Sequence, residues 1–454
     1  MFEGRISNAP HVPRSRAILD SRAMVRNPVS VFEEYRARFG PTFTLHFGGV
    51  TPSVVSTDPV VVEHVLRGNR DNYEKSHIQV ERMVEFQGKG LVNSHGDVWM
   101  RQRKLLAQGF KASRLTKLLP MQQDVLQELM DGFDHDVRRG PVDVHQQMVR
   151  FTLRLVGKSL FGRSMRDEEL EQIGEIISAI QAFILRQVVQ PWKIPWFRFS
   201  GLSEQHQQLR RDGDAIALRH VQARLTEGIG DNDFLRILTE TPYHDTGLPM
   251  SEAMVLIESL QLLVAGNETS SNALTWIFYL LARHPTHIVE IRDEVAAVIG
   301  DNAIDYRNLH QLEATVRVID EALRLYPPFW MIDRIALKDD DIGGVHIPAG
   351  AMVIPYIYGT HRNPAHWEDV ETFDPRRFER DRSKDRHPFA YIPFGGGPRI
   401  CIGSNMAVMQ MLMIVVAFVR KYDFSLAKNE PVAIQPMMLL RPRGAVTMTF
   451  RAVS

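Results

Sequence analysis

The residue with the most distinctive chemistry is Cys401, the only cysteine among 454 residues. It lies in the glycine-rich stretch Phe394–Gly403, directly before an apolar, helix-like tract from Ser404 to Val419. A lone cysteine is usually a small buried hydrophobe. At a helix N-terminus and close to Arg399, however, its thiolate would be stabilised, and Gly403 would leave room for a flat partner. This pattern suits an iron porphyrin that is held by one thiolate and paired through a carboxylate with the arginine.

A second cluster of reactive side chains lies inside one long, buried helix that we predict from Ser251 to Ala282. It comprises Ala265, Gly266, Glu268 and Thr269. A glycine in a helix costs about 1 kcal/mol relative to alanine, and a buried carboxylate needs a partner or water. The threonine hydroxyl can donate to the carbonyl group of the alanine. An acid and an alcohol beside a glycine indicate a reaction site, with ordinary helix packing as the alternative.

The residues around the cysteine resemble the haem-binding signature of the cytochrome P-450 family. Phe394, Gly397, Arg399, Cys401 and Gly403 occupy every fixed position of its pattern Phe-x-x-Gly-x-Arg-x-Cys-x-Gly. The resemblance implies that haem b is the cofactor, that the cysteine is the axial ligand of the iron, and that the arginine contacts a haem propionate. It also implies that the phenylalanine packs beside the sulfur and that the last glycine lies against the cofactor.

The cluster in the long helix resembles the oxygen-activation motif of the same family. This resemblance implies that Thr269 and Glu268 are catalytic, the alcohol as a hydrogen-bond partner of dioxygen and the acid as a proton relay. It also implies that Ala265 and Gly266 lie against the haem. Dioxygen is therefore expected as the co-substrate.

Three more residues match the positions at which the family binds the haem propionates. Trp99 and Arg103 stand one turn apart on a predicted helix, so that the indole N–H and the guanidinium can reach one acceptor. The resemblance implies that both contact a propionate and that Arg334 contacts one as well. Without the resemblance, a core tryptophan beside a surface arginine is the ordinary interpretation.

Glu321 and Arg324 carry opposite charges on one face of another predicted helix. On a protein surface such a pair contributes little to stability. Together with Arg377 they resemble the buried glutamate–arginine–arginine network of the family. The resemblance implies a role of this network in folding and haem incorporation, and not in turnover.

The resemblance also places a set of apolar residues around the substrate, although core packing is the default for such side chains. These residues are Phe86, Leu91, Val92, Phe183, Ile184, Leu262, Met331, Ile332 and Met438. The set fits terpenes, steroids, fatty acids and polyketides alike, and so leaves the identity of the substrate open.

The elements that must position these residues are mainly helical. The stretch from Thr42 to Ser56 predicts a β-hairpin, and amphipathic helices follow from Met121 to Ala223 with breaks at Gly140–Pro141 and Gln190–Gly201. The resemblance implies the P-450 fold, a triangular-prism helical domain with a small β-rich subdomain. We expect one catalytic domain over residues 1–454, β-rich over about 1–70 and helical and haem-binding over about 71–454, with short embedded sheets.

Composition excludes several classes of function. The 54 basic residues balance the 54 acidic residues, which gives no reason to expect nucleic-acid binding. A single cysteine cannot form an intramolecular disulfide, which fits a reducing compartment. The stretch from Met1 to Asp20 lacks the apolar run of a signal peptide or membrane anchor. We therefore expect a cytoplasmic protein without a transmembrane anchor, similar to the soluble, bacterial-type members of the family.

The resemblance implies a monooxygenase that hydroxylates or epoxidises an apolar small molecule with dioxygen and two electrons derived from NAD(P)H. Because the chain ends soon after its last predicted hairpin, we expect a separate ferredoxin or flavodoxin with its reductase. Its docking patch is predicted at Lys104, Lys111, Arg114 and Lys117. The alternatives are a haem-thiolate isomerase or dehydratase that needs no reductase, and a non-enzymatic haem sensor. The acid–alcohol pair of the long helix argues against both.

Overall fold

The computed structural model describes residues 7–47, 49, 51–76, 80–81, 83–162, 165–227, 233–300, 302–309 and 311–453. The chain forms two units, each assembled from several stretches of sequence. The first unit comprises Met1–His77, Arg317–Cys401 and Ala433–Arg443. The second unit comprises Ile78–Val316, Ile402–Val432 and Gly444–Ser454.

Helices make up most of the regular structure, which confirms the prediction of a mainly helical protein with small sheets. The helices are α1 (Arg14–Leu19), α2 (Ser21–Arg26), α3 (Pro28–Phe39), α4 (Pro59–Glu63), α5 (Met83–Gln87), α6 (Gly96–Leu106), α7 (Ala112–Arg138), α8 (Val144–Phe161), α9 (Asp167–Val189), α10 (Ile194–Phe199), α11 (Leu202–Glu227), α12 (Phe234–Glu240), α13 (Glu252–Arg283), α14 (Thr286–Val298), α15 (Tyr306–Leu309), α16 (Glu313–Leu325), α17 (Ile357–Thr360), α18 (Arg380–Ser383) and α19 (Ser404–Lys421). The strands are β1 (Thr42–Phe47), β2 (Thr51–Ser56), β3 (Tyr73–Glu74), β4 (Val142–Asp143), β5 (Arg334–Ala336), β6 (Asp340–Ile342), β7 (Val345–Ile347), β8 (Met352–Pro355), β9 (Tyr422–Leu426), β10 (Ile434–Pro436), β11 (Leu440–Pro442) and β12 (Thr447–Ala452).

The largest sheet of the first unit has the strand order β1-β2-β8-β5-β3. Strands β1 and β2 form the predicted antiparallel hairpin, and β8 pairs in parallel with β2 and antiparallel with β5. Successive side chains of a strand point to opposite faces. Accordingly, Val54 and Val353 join one apolar cluster with residues of α4, whereas Val55 and Ile354 join another with residues of α3. Both faces of the sheet are thus covered, which makes β5 a firm support for the residues that it carries.

The second unit is organised around two apolar helices, α13 and α19. The stretch of α13 from Ser270 to Leu281 is buried, and so is most of α19. The rings of Phe133, Phe151, Phe278 and Phe418 join α7, α8, α13 and α19, with centroids 4.8 to 6.2 Å apart. A three-stranded sheet, β4-β12-β9, belongs to the same unit. This core holds α13 in place, and α13 carries the predicted acid and alcohol.

The predicted helix boundaries agree with the structure where the sequence has a clear signal. The long helix runs from Glu252 to Arg283, with the Ser251 side chain accepting the N–H of Met254 at its start. Helix α7 ends before the predicted break at Gly140, and the second break contains a turn of 3-10 helix and the short α10. Among the described helices, α19 is long and apolar enough to cross a membrane, but 61% of it is buried inside the protein, as in many core helices.

Candidate active site

The loop that carries Cys401 is closed by its own backbone. The N–H of Cys401 donates to the carbonyl oxygen of Phe394 at 2.9 Å, and the N–H of Ile400 donates to that of Gly397 at 3.1 Å. A turn of 3-10 helix, Gly397–Arg399, lies between these bonds. The cysteine is exposed at the end of the loop. The loop geometry therefore depends on main-chain bonds, and Cys401 is accessible from solvent.

Two glycines let this loop pack closely against neighbouring segments of the first unit. Gly397 has a φ of +66°, and a Cβ atom there would lie 1.9 Å from the carbonyl oxygen of Leu66. No side chain larger than hydrogen fits at that distance, so the glycine is required by both conformation and space. At Gly395 (φ +74°), a Cβ atom would lie 3.6 Å from the Ile332 side chain. The predicted pocket residue Ile332 is thus placed beside the loop.

The outer side of the same loop borders a concave surface of about 490 Å³, which we call the loop-side concavity. Its lining includes Arg67, Phe389, Gly395–Pro398 and Ile400. The guanidinium of Arg67 lies over the Phe389 ring at 5.2 Å, and Ile400 is 43% exposed. A cation and an apolar side chain are therefore presented to solvent next to the segment that holds the sulfur.

Three cations approach one another near this loop, within the first unit. Arg334 is buried, donates to the carbonyl oxygen of Asp333 at 2.7 Å, and has a pKa that burial lowers. The pKa of Lys75 falls to about 7, first because of burial and then because of the positive charges of Arg334 and Arg399, with Asp333 acting in the opposite direction. Clustered cations in a low-dielectric environment favour an anionic ligand. The two carboxylates of a haem fit this site, and the exposed thiol nearby fits its iron.

Lys75 did not emerge from the sequence because its position follows from strand pairing. Strand β3 pairs antiparallel with β5, with Tyr73 opposite Ala336 and Glu74 opposite Ile335. Continuing the register by one residue sets Lys75 opposite Arg334. A lysine after a two-residue strand carries no sequence signal of its own, so only the register could have identified it.

Glu321 accepts two bonds from Arg324, at 2.7 and 2.8 Å, and neither side chain is exposed. Arg377 lies 3.2 Å from the same carboxylate, and the N–H of Asp374 donates to it at 3.0 Å. Arg324 also donates to the carbonyl oxygen of Val370 at 2.8 Å. The three predicted charged residues thus form one buried network that ties α16 to the segment from 361 to 377.

In the second unit, the hydroxyl of Thr269 donates to the carbonyl oxygen of Ala265 at 2.6 Å, as predicted. Ala265 is exposed, whereas Glu268 and Thr269 are half-buried. Gly266 allows α8 to approach, because a Cβ atom there would lie 3.0 Å from the Val156 side chain. The alcohol, the acid and the small alanine therefore lie on an accessible stretch of an otherwise buried helix.

Asn267 takes part in holding that stretch, which its sequence position did not indicate. The Thr152 hydroxyl of α8 lies 2.7 Å from Oδ1 of Asn267 and 3.2 Å from its carbonyl oxygen. Both residues are buried. This contact fixes α13 against α8 at the position directly before the acid and the alcohol.

The predicted propionate residues of the second unit lie on α6. Trp99 and Arg103 are one turn apart on this helix and both are half-buried.

Gly403, which precedes α19, lies near Phe110. A Cβ atom at Gly403 would be 3.4 Å from the Phe110 ring. A side chain at this position would therefore come into van der Waals contact with the Phe110 ring.

The segment with Leu91 and Val92 is held by two side chains of α13. Both carboxylate oxygens of Glu258 accept the N–H of Leu91, at 2.9 and 3.2 Å, and Oε1 of Gln261 accepts that of Val92 at 3.1 Å. The amide group of Gln261 donates in turn to the carbonyl oxygen of Gly88 at 3.1 Å. Glu258 has no exposed surface, and its burial raises its pKa to about 7, although the Leu91 N–H acts against this.

A cavity of about 60 Å³ lies between α5, α9, α11 and α13 in the second unit. Phe86 lines it and meets the Phe183 ring edge-on at 5.6 Å, while Phe183 stacks on His206 at 4.0 Å. Ile184 and Leu262 are buried. Of the residues predicted to contact substrate in this unit, Phe86 therefore lines the cavity and Phe183 supports it from behind.

The remaining predicted pocket residues lie on two joined segments of the first unit. The indole N–H of Trp330 donates to the carbonyl oxygen of Met437 at 3.0 Å, and the N–H of Leu440 donates to that of Pro328 at 2.8 Å. These bonds hold Met331 and Met438 on neighbouring, half-buried stretches.

Comparison with known proteins gives consistent results. The family model "Cytochrome P-450" matches residues 11–450. A putative cytochrome P-450 132 of Mycobacterium tuberculosis is 30% identical over 86% of this chain and 85% of its own length. The chloroplastic protein LUTEIN DEFICIENT 5 of Arabidopsis thaliana is 27% identical over 95% of this chain and 75% of its own length. The crystal structure of a cytochrome P-450DA haem domain covers 98% of both chains with a TM-score of 0.87 at 22% identity.

Proposed function

This chain belongs to the cytochrome P-450 family, and from that premise we propose that it hydroxylates or epoxidises an apolar small molecule with electrons from a separate protein. Membership of the family makes it a haem-thiolate monooxygenase. The bound haem supplies an iron centre at which one atom of dioxygen enters the substrate and the other becomes water. The rest of the proposal concerns what the side chains of this chain do around that group.

The observation that carries the proposal is the loop of Cys401. Its thiol is exposed while its N–H is held by the carbonyl oxygen of Phe394, so the sulfur can bind iron without any change in the loop. We propose that the thiolate of Cys401 would hold the haem iron, with Phe394 beside the sulfur. The glycines of the loop keep the backbone close and exclude bulky side chains from the ligand.

The cations near this loop are proposed to bind the haem propionates. The positive charges of Arg334 and Arg399 lower the pKa of Lys75, and a carboxylate beside these cations would relieve that repulsion. Trp99 and Arg103 on α6 can donate to one acceptor, since they are one turn apart. We propose these five residues as the propionate ligands.

Protons are proposed to pass through Thr269 and Glu268. The hydroxyl of Thr269 donates its proton to the carbonyl oxygen of Ala265. Its Oγ1 atom can therefore still accept a hydrogen bond through a lone pair. Glu268, the residue directly before Thr269, is half-buried and can exchange protons with solvent.

Electrons are proposed to arrive from a ferredoxin or flavodoxin that is reduced at the expense of NAD(P)H. Lys104, Lys111 and Lys117 are exposed, and they would attract an acidic partner. The loop-side concavity, with Arg67 and Ile400, offers a second docking surface beside the thiolate loop. We further propose that the chain works as one catalytic domain in the cytoplasm.

Reconstituted turnover tests this function. The holoenzyme is mixed with NADPH, a ferredoxin, ferredoxin reductase, ¹⁸O₂ and a panel of apolar compounds, and products are identified by mass spectrometry. We expect one ¹⁸O atom per product and no product when the reductase is omitted. Product formed without the reductase would identify an isomerase or dehydratase. Ligand binding without any product across the panel would favour a sensor.

A further inference from the structure

The cavity between α5, α9, α11 and α13 is not uniformly apolar. Four isoleucines of α9 line one side: Ile173, Ile176, Ile177 and Ile180. The opposite side, on α11, carries Arg210 and Asp214. An apolar cavity that needed only to hold a hydrocarbon would gain nothing from a half-buried ion pair, because such a pair must be desolvated when the cavity fills. The pair therefore requires an explanation.

The geometry of this pair leaves it incompletely satisfied. Nε of Arg210 lies 3.4 Å from the Asp214 carboxylate, one turn away, which is longer than a close charge-assisted bond. The same guanidinium is anchored elsewhere, since its Nη1 donates to the carbonyl oxygen of Glu85 at 2.9 Å. Gln207 donates to that carbonyl as well, at 3.3 Å. The arginine is thus fixed in place, and its contact with the carboxylate stays long at 3.4 Å.

The position of Asp214 is also fixed. A Cβ atom on the preceding Gly213 would lie 3.3 Å from Ile176, so α11 and α9 are in close contact at this point. Burial raises the pKa of Asp214 even though Arg210 acts against this. The carboxylate is therefore poorly compensated and gains from any hydrogen-bond donor that enters the cavity.

We propose that Arg210 and Asp214 determine substrate specificity and select an apolar molecule that carries one neutral hydroxyl group. This inference rests on the proposed function, since it names the substrate class of that enzyme. A hydroxyl group can donate to the carboxylate and accept from the guanidinium at once. A carboxylate on the substrate is repelled by Asp214, and an alkane that fills the cavity displaces water from the carboxylate without donating a hydrogen bond to it.

Matched probes test this proposal on the ferric holoenzyme. Adamantane, 1-adamantanol and adamantane-1-carboxylate share one skeleton, of which the cavity of about 60 Å³ would take only one end. Their dissociation constants are measured by the spin-state change of the haem and by calorimetry. We expect the wild-type protein to bind the alcohol about tenfold more tightly than either other probe. The binding measurement requires no electron transfer, whereas reconstituted turnover does. The proposed selectivity for an alcohol can therefore fail while the proposed monooxygenase function holds, and the two outcomes can be distinguished.

Two substitutions should change the affinity for adamantane-1-carboxylate in opposite directions. Asp214→Asn should strengthen binding of this carboxylate and abolish the preference for the alcohol. Arg210→Gln should weaken binding of the carboxylate and of the alcohol. Asp212→Asn is the matched control, because Asp212 lies on the same helix but is exposed and paired with Gln208 at 2.8 Å. It should leave all three constants unchanged.

If the pair had a purely structural role, each substitution would change the dissociation constants of all three probes by one common factor. That result would overturn the proposal, as would a wild-type protein that shows no preference for the alcohol or binds none of the probes. The opposite changes in carboxylate affinity in the two variants are the result that supports it.

Discussion

The carboxylate of Glu321 and the guanidinium of Arg324 face each other through two bonds of 2.7 and 2.8 Å in a part of the first unit that solvent does not reach. One oxygen of that carboxylate is shared with Arg377 and with the N–H of Asp374. The other donors of Arg324 are taken by carbonyl oxygens of a distant segment. A single carboxylate thus balances two buried cations and a backbone donor, so its loss cannot be compensated locally.

Glu321→Gln should therefore unfold the protein more easily. Removing one partner of a buried pair typically costs about 3–5 kcal/mol, because the remaining charge stays buried. We expect a fall of this order in the free energy of unfolding, measured by urea denaturation, and a lower ratio of haem to protein absorbance after purification. Glu313→Gln changes the exposed first turn of the same helix and serves as control. Equal effects of the two substitutions would contradict a special role of the buried network.

Cys401→Ser should keep the fold and lose the characteristic spectrum. The N–H of residue 401 closes the loop by donating to the carbonyl oxygen of Phe394, and the substitution leaves this main-chain bond in place. We expect unchanged circular dichroism and loss of the red-shifted absorption band of the reduced carbon monoxide adduct. Persistence of that band would show that another residue is the ligand.

Thr269→Ala should separate oxygen consumption from product formation. The alanine variant loses the hydroxyl that lies over Ala265, and with it the proposed route for protons. We expect a higher ratio of released hydrogen peroxide to product at similar substrate affinity. Thr269→Ser keeps a hydroxyl group and should restore the wild-type ratio. If the alanine variant and the wild type released the same amount of hydrogen peroxide per product, Thr269 would have no part in proton delivery.

Lys75 should make haem affinity depend on pH. Its pKa of about 7 in the haem-free protein lies below the ordinary value of 10.5, because burial and two arginines disfavour its charge. A propionate would restore that charge, so haem binding takes up a proton above about pH 7. We expect the haem affinity of the wild type to fall, relative to that of Lys75→Met, as pH rises from about 7 to 10.5.

The measurement for Lys75 is haem transfer to apomyoglobin at several pH values. Other groups, including the ligand thiol, also titrate upon binding, and the comparison with Lys75→Met cancels their contribution. The exposed Lys104→Met variant controls for a general loss of positive charge. Parallel pH profiles of the wild type and Lys75→Met would remove Lys75 from the propionate site.

The sequence was sufficient to predict a contact when the residues that form it are close together in the chain. The bond from Thr269 to Ala265 and the pair of Glu321 and Arg324 each join residues one helical turn apart, so helical geometry alone predicts them. The hairpin from Thr42 to Ser56 is likewise a local pattern. In these cases the structure adds distances and burial to an arrangement that the residue types had already indicated.

Contacts between distant segments could not be predicted in this way. Lys75 lies opposite Arg334 only because β3 and β5 pair, and Asn267 meets Thr152 only because α13 and α8 pack. Trp330 is buried in the core, edge-on to Phe32 at 5.9 Å, a partner from a distant part of the chain that the local sequence does not indicate. An apolar residue fits a pocket and a core equally well until the fold is known.

Glu258→Gln should stabilise the protein, and increasingly so with rising pH. The pKa of this buried carboxyl is about 7, against 4.5 for an exposed glutamate, so the folded protein holds a proton that the unfolded chain releases. The free energy of unfolding of the wild type must therefore fall as pH rises from about 4.5 to 7. Glutamine keeps an acceptor for the Leu91 N–H and has no proton to lose.

The advantage of Glu258→Gln should be absent near pH 4.5 and reach at most about 3 kcal/mol above pH 7. Urea denaturation across this range measures it, with Glu252→Gln on the exposed first turn of the same helix as control. A stability difference that stays constant with pH would show that Glu258 is ionised throughout. Its two bonds to Leu91 would then hold the loop as a charged clamp, and Glu258→Gln would loosen that loop instead of stabilising the protein.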